Sequence, residues 1–123
     1  MAISFPSAEK TPENNRFVVY SLGNFISNQK TPGTDGGQMI RLKLSKKYGI
    51  TTIDTANYIL TWIYGPYFEG RKKFFILPCR DFENDTTFFN SADSYQKMKL
   101  FMNESRTLLN SGNQMVPEMN KNQ

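Results

Sequence analysis

The chain of 123 residues contains no histidine and a single cysteine, Cys79. Without histidine, a Ser-His-Asp triad, an HExxH zinc site and the histidine-rich dinuclear sites of metallophosphoesterases are excluded from this chain acting alone. One cysteine cannot form a disulfide bond within the chain. No apolar run approaches the roughly 18 residues that cross a bilayer, and the first residues lack the basic and apolar regions of a signal peptide. The sequence therefore predicts no catalytic residue, no metal ligand and no membrane span of its own.

Charge is also sparse, since charged residues make up 21% of the chain and its net charge is only +4. The basic residues form small clusters, Lys46-Lys47 and Arg71-Lys72-Lys73, rather than the dense stripe that nucleic-acid binding requires. We therefore expect no nucleic-acid partner. Aromatic residues are plentiful at 14%, whereas all hydrophobic residues together reach 38%. The aromatic side chains must therefore provide much of the buried area.

Five segments predict β-strands, because their apolar residues alternate or because β-branched and aromatic residues dominate them. They are residues 2–6, 17–22, 39–44, 50–63 and 73–77. The fourth segment is long enough to need a bend or bulge, which we expect near Ala56 and Asn57. Turns are predicted at 46–49 and 64–70, loops at 7–15 and 28–37, and a polar connection at 79–90.

Residues 91–110 predict one helix, with Asn90 or Ser91 as its N-cap and Asp93 in its first turn. Its apolar stripe has spacings of three and four and consists of Tyr95, Met98, Met102, Ser105 and Leu109, flanked by Phe101 and Leu108.

The sequence thus predicts an α+β fold with four or five mostly antiparallel strands and one C-terminal helix. A single domain would cover residues 1–112, and residues 113–123 predict a flexible polar tail. One helix can cover only part of a sheet face, so open sheet edges and some apolar surface remain. We therefore expect the chain to be part of something larger or to self-associate through its open edges.

Two loops carry residue types that suggest ligand binding, and each has a structural alternative. Asp81, Glu83 and Asp85 alternate as the oxygen ligands of a hard cation do, but they lack the central Gly and distal Glu of an EF-hand. The alternative is a solvated acidic loop ahead of the helix. Residues 34–37, TDGG, suit a backbone cradle for phosphate, although no Walker-type lysine follows. The alternative is a flexible hairpin loop.

Two further groups are open to the same double interpretation. Tyr64, Tyr67 and Phe68 stand beside the cations of residues 71–73, an arrangement that can stack single-stranded bases. It is equally typical of a β-hairpin with a solvated basic end. Cys79 lies next to Arg80, which favours a thiolate. The alternative is a small, partly buried residue without reactivity.

The most distinctive string is VVYSLGNFISNQ at residues 18–29. It is followed by GGQMIRLKLSK at 36–46, YILTWIY at 58–64 and FFILP at 74–78. In this order the segments resemble the bacterial capsule synthesis proteins of the CapA type. The resemblance implies a role in poly-gamma-glutamate synthesis at the cell envelope. It also implies that the fold is similar to the C-terminal half of a calcineurin-like metallophosphoesterase sandwich.

The resemblance also implies where the reactive part of such a protein lies. In that family a Gly-His-Pro-His-type segment upstream of SLGNF supplies metal ligands, and the remaining ligands come from still earlier. None of these positions is matched here, so a divalent metal is expected only in the complete parent domain, and this chain has no cofactor of its own. Within SLGNF the candidate substrate-binding residues are Ser21, Gly23 and Asn24. The structural alternative is that Asn24 hydrogen-bonds the backbone of its own turn. Leu60 departs from the proline that is usual before the Thr-Trp pair.

Two hypotheses of different classes follow. In the first, the chain is the C-terminal part of a CapA-like protein, inert in isolation, with a missing N-terminal half as its partner. In the second, it is a self-standing β-rich binding or assembly module without catalytic activity.

Overall fold

The computed structural model describes residues 3–4, 17–19, 21–112 and 116–120, so the predicted loop at 7–15 lies outside the described part. In chain order the elements are β1 (Ile3–Ser4), β2 (Val18–Val19), β3 (Gly36–Lys47), β4 (Ile50–Tyr64), β5 (Tyr67–Phe68), β6 (Arg71–Lys72), β7 (Phe75–Pro78), α1 (Cys79–Phe82) and α2 (Ala92–Gly112). All strand pairs are antiparallel, and the long helix comes last. The predicted α+β class is therefore confirmed.

Strands β3 and β4 form one long hairpin that organises the main sheet. Tyr48 and Gly49 make its turn with φ angles of 52° and 78°, as a two-residue turn matching the twist of the strands requires. The register shifts between Lys43 and Leu44, which leaves Asp54 of β4 unpaired. The bulge thus lies two residues before the Ala56-Asn57 position that the sequence suggested.

The second edge of β4 is covered by two separate segments. Strand β7 pairs with Thr61–Tyr64 of β4 and so completes a three-stranded sheet in the order β3-β4-β7. Further along, the Tyr58 N–H donates to Pro117 O (3.1 Å), and the Met119 N–H donates to Tyr58 O (2.8 Å). Val116, beside this contact, is only 6% exposed. Of the predicted flexible tail at 113–123, the structure describes residues 116–120, and these pair with β4 and bury an apolar side chain.

Helix α2 lies against the sheet through its predicted stripe. Its N-cap is Ser91, whose Oγ accepts the N–H of Ser94 at 3.2 Å. The stripe is buried except for Tyr95, which is partly buried, while Leu108 on its flank remains 46% exposed. The buried core joins α2 to β4, to β7 and to the segment between β7 and α2. It comprises Tyr58, Leu60, Trp62, Tyr64, Leu77, Cys79, Phe89, Met98, Phe101, Met102, Leu109 and Val116. None of the helices in the described ranges is sufficiently long and apolar to cross a membrane.

The segment between β7 and α2 is more structured than a polar connection. It begins with the four-residue helix α1, and its aromatic residues then pack together. The rings of Phe82 and Phe88 are 4.6 Å apart, and Phe89 lies 5.2 Å from Tyr64. Aromatic pairs at such distances contribute beyond their buried area. The predicted turn at 64–70 contains β5, which pairs with β6 just beyond it in a small hairpin.

Candidate functional site

The SLGNF turn docks on the beginning of β3 through backbone contacts. Gly23 and Gly37 form an antiparallel bridge, and the Gln38 N–H donates to Leu22 O at 2.8 Å. A Cβ atom on Gly37 would stand 2.5 Å from Leu22 O, a distance that real Cβ atoms do not adopt. The two segments can approach so closely because glycine has no side chain. The turn is therefore attached to the edge of β3 by a single antiparallel bridge.

Asn24 holds the loop that follows the turn. Its Nδ2 donates to Gln29 Oε1 and to Thr34 O, both at 2.6 Å. Because the amide has two N–H groups, both donors are engaged. The structure thus places Asn24 in a structural role, but its partners are in the next loop rather than in its own turn.

The three predicted site residues line one cleft, which we call the turn cleft. Ser21, Gly23 and Asn24 form one wall of this cleft of about 450 Å³. The other residues that line the cleft are Gln29, Gly33, Thr34 and Gly36 from the loop and β3, and Phe101, Glu104, Ser105 and Leu108 from α2. These side chains offer hydroxyl and amide groups and one carboxylate, which suits hydrogen bonding to a polar ligand. The lining pairs no nucleophile with a base.

A second cleft, the lysine cleft, lies beside Trp62 and measures about 160 Å³. Its lining includes Lys30, Lys72 and Lys97. Lys72 Nζ donates to Asn28 Oδ1 at 2.5 Å, and partial burial together with the nearby Lys30 ammonium lowers the pKa of Lys72. Sequence reasoning missed this site, because the three lysines are distant in sequence and only folding brings them together.

One carboxylate shares the lysine cleft. Asp35 Oδ2 accepts a hydrogen bond from Trp62 Nε1 at 2.8 Å. Its other oxygen, Oδ1, is buried and has no hydrogen-bond partner among the described residues. A buried acceptor without a partner costs free energy.

Of the three acidic residues weighed as metal ligands, Asp81 is exposed, Asp85 Oδ1 accepts the Thr87 N–H at 3.0 Å, and Glu83 forms ion pairs. Glu83 accepts bonds from Arg106 Nη1 at 2.7 Å and Nη2 at 3.1 Å, and Arg106 Nε also donates to Glu118 at 2.9 Å. The hydrogen bond from Arg106 lowers the pKa of Glu83 to about 2. Within the described ranges no three Asp, Glu or Cys side chains gather to hold a metal ion. Glu83 therefore differs from the solvated acidic loop residue that the sequence suggested.

The remaining candidates also have structural roles. Gly36 and Gly37, weighed as a phosphate cradle, are buried in β3. Lys72 lies 5.9 Å from the Tyr67 ring, and Lys73 lies 5.4 Å from the Phe68 ring, so lysines of the β5–β6 region engage the aromatic faces. Cys79 is fully buried, and burial raises the pKa of its thiol far above the usual range. These observations agree with the β-hairpin alternative for the aromatic residues and lysines, and with the unreactive alternative for Cys79.

No family model, curated protein or solved structure matches the chain. The function is therefore argued from the arrangement of the two clefts, from the sheet, and from the resemblance carried by residues 18–78.

Proposed function

We propose that the chain is the C-terminal part of a CapA-type capsule synthesis protein. In this role it serves poly-gamma-glutamate synthesis at the cell envelope by supplying the sheet on which the SLGNF turn rests. The turn cleft, with Ser21, Gly23 and Asn24, would face the part of the protein that carries the metal ligands.

The observation that carries the proposal is that the segments resembling the family are neighbours in space. Gly23 of SLGNF pairs with Gly37 of the GGQMIRLKLSK segment. In that segment Gly36 pairs with Trp62 of YILTWIY, and Trp62 also pairs with Leu77 of FFILP. A chance likeness of separate strings would not require them to be adjacent, whereas a shared fold does.

The residues of this chain do not fit the metal centre of such a fold. A dinuclear centre needs several deprotonated nitrogen and oxygen ligands that converge from different loops. The chain has no histidine. The carboxylates of Glu83 and Glu118, which lie near each other, are both bound by Arg106. We therefore expect the isolated chain to hydrolyse no aryl phosphate when Mn²⁺ or Zn²⁺ is added.

A chimera tests the proposal directly. The metal-binding N-terminal part of a CapA-type protein would be joined to this chain and expressed in a capsule-forming strain that lacks its own CapA-type protein. We expect the chimera to restore cell-bound poly-gamma-glutamate, and the chain alone to restore none. Gly37→Val in the chimera should abolish the effect, because the SLGNF turn cannot dock, whereas the exposed control Lys47→Ala should not.

Two results would contradict the proposal. One is a folded, stable chimera that produces no polymer. The other is metal-dependent phosphoesterase turnover by the purified chain, since that would require a complete site within these residues.

A specific observation also favours the second candidate, a self-standing assembly module. Beyond the core, Leu42, Leu44 and Ile53 continue the apolar face of the β3–β4 hairpin, and Leu44 is 56% exposed. Exposed apolar strips on a sheet are typical of association sites. Light scattering after size-exclusion chromatography would distinguish the two candidates. A stable oligomer that Leu44→Lys converts to monomer supports the module, and a monomer supports the first proposal.

A further inference from the structure

We propose that the lysine cleft binds a phosphate-type oxyanion, with Lys30 and Lys72 holding its charge. This inference is independent of the proposed role in capsule synthesis, because it concerns a different cleft.

The first argument is the charge around the cleft. Among the described residues no carboxylate forms an ion pair with Lys30 or Lys72. Lys30 nevertheless lies close enough to Lys72 to lower the pKa of the Lys72 ammonium, after the larger effect of its burial. Two neighbouring cations repel each other, and a bound dianion reduces that repulsion. Lys97 lines the same cleft but already pairs with Asp93 at 2.8 Å. We therefore assign it the smaller share of binding.

The second argument is the geometry of the donors. The planar fork of arginine binds carboxylate and phosphate through two parallel hydrogen bonds, whereas lysine binds phosphate as a point charge. The lining of the cleft contains lysines and no arginine. Hydroxyl and amide groups of Ser27, Asn28 and Ser94 also line it and can donate from several directions, as a tetrahedral oxyanion requires.

The third argument is size. The cleft measures about 160 Å³, below the roughly 300–1,000 Å³ typical of pockets that enclose a drug-sized ligand. It therefore fits a single charged group. We infer that it takes free phosphate or the phosphate end of a molecule whose remainder stays outside.

One carboxylate, Asp35, also lines the cleft, and its negative charge opposes an anion. Its Oδ2 accepts a hydrogen bond from Trp62, and its Oδ1 is buried without a partner among the described residues. We therefore expect the lysines to hold the anion and the charge of Asp35 to weaken its binding.

The experiment uses the full chain and inorganic phosphate as the probe. The chain has one tryptophan, Trp62, and it lines the cleft, so its fluorescence reports binding without a label. At pH 7 and low salt we expect saturable titration with phosphate that weakens as KCl is added. Lys30→Met and Lys72→Met should each weaken binding about tenfold, the loss of one charge-assisted hydrogen bond. Lys97→Met should weaken it less.

Matched controls separate a site from general attraction to a basic protein. Lys47→Met removes an exposed lysine of the β3–β4 hairpin, outside the cleft lining, and should leave phosphate binding unchanged. Asp35→Asn can keep the bond to Trp62 while removing a negative charge from the cleft lining, so phosphate should then bind more tightly. Because Lys30 is exposed, Lys30→Met tests the site even if Lys72→Met disturbs the β5–β6 hairpin.

Several outcomes would overturn the proposal. These are the absence of any saturable response to phosphate, an equal loss of binding in the Lys47→Met control, or tighter binding of malonate than of phosphate. Weaker binding of phosphate to Asp35→Asn would also contradict it, because this variant makes the cleft more positive.

Discussion

Gly23 and Gly37 face each other across an antiparallel bridge so closely that a Cβ atom on Gly23 would stand 2.9 Å from the Cα of Gly37. The contact attaches the SLGNF turn to β3. It also explains why two consecutive glycines begin that strand, because a Cβ on Gly36 would lie 2.6 Å from the Phe101 ring. The turn and the helix thus approach β3 through neighbouring glycines.

The first prediction concerns Gly37→Ala. Its Cβ would overlap Leu22 O, so the turn must move away from β3. We expect the free energy of unfolding to fall by about 1–3 kcal/mol, as for other overpacked sites. Urea unfolding followed by Trp62 fluorescence would measure the change.

Gly65→Ala is the matched control for this measurement. The nearest atom to a Cβ on Gly65 is Lys72 Cε at 3.0 Å, the end of a flexible side chain that can shift at little cost. An effect of Gly37→Ala no larger than that of the control would show that the close approach does not stabilise the fold.

The sequence predicts the elements whose periodicity is local. The helix stripe at 91–110 and the alternation at 39–44 each depend on neighbours within a few residues, and both correspond to elements of the structure, α2 and β3. The fold class follows from these elements and their order.

What the sequence leaves open depends on contacts between distant residues. The tail at 113–123 is polar in composition, yet residues 116–120 pair with β4 because Tyr58 offers its backbone there. The sequence around Glu83 predicts a solvated loop carboxylate, because nothing local shows that the helix brings Arg106 beside it. The lysine cleft likewise combines residues 30, 72 and 97, and no local pattern connects them.

The second prediction concerns the acid dependence of stability. Arg106 holds the pKa of Glu83 at about 2 in the folded chain, below its value in the unfolded chain. The pair therefore stabilises the fold fully above about pH 5, and this contribution is lost as the pH falls towards 2. We expect Glu83→Gln to lower the free energy of unfolding at pH 7 by about 2 kcal/mol. The variant should also lose part of the pH dependence between 5 and 2.

Asp93→Asn provides the control, because Asp93 pairs with Lys97 on the exposed surface of α2. Exposed pairs contribute at most about 1 kcal/mol, so this variant should unfold with nearly unaltered pH dependence. Urea unfolding at several pH values would compare the two. Identical profiles for Glu83→Gln and the unaltered chain would contradict the structural role of Arg106.

The third prediction concerns Val116. Its side chain is 6% exposed in the core. Val116→Ala removes two buried methyl groups, and we expect a loss of about 1–2 kcal/mol in the free energy of unfolding. Leu108→Ala, at a side chain that is 46% exposed, should cost less although it removes more atoms. The reverse order would indicate that residues 116–120 do not pack against the sheet in solution.

The fourth prediction uses Cys79 as a probe of opening. The thiolate is the reactive species, and burial both raises the pKa of this thiol and blocks access to its sulfur. Modification by an aromatic disulfide reagent at pH 8 should therefore proceed only through molecules that open.

When opening and closing are fast, the rate of labelling follows the equilibrium between closed and open forms. Gly37→Ala should then accelerate labelling about tenfold for each 1.4 kcal/mol by which it favours opening. Labelling of the unaltered native chain as rapid as that of the chain in urea would place the thiol at the surface and refute its burial between β7 and α2.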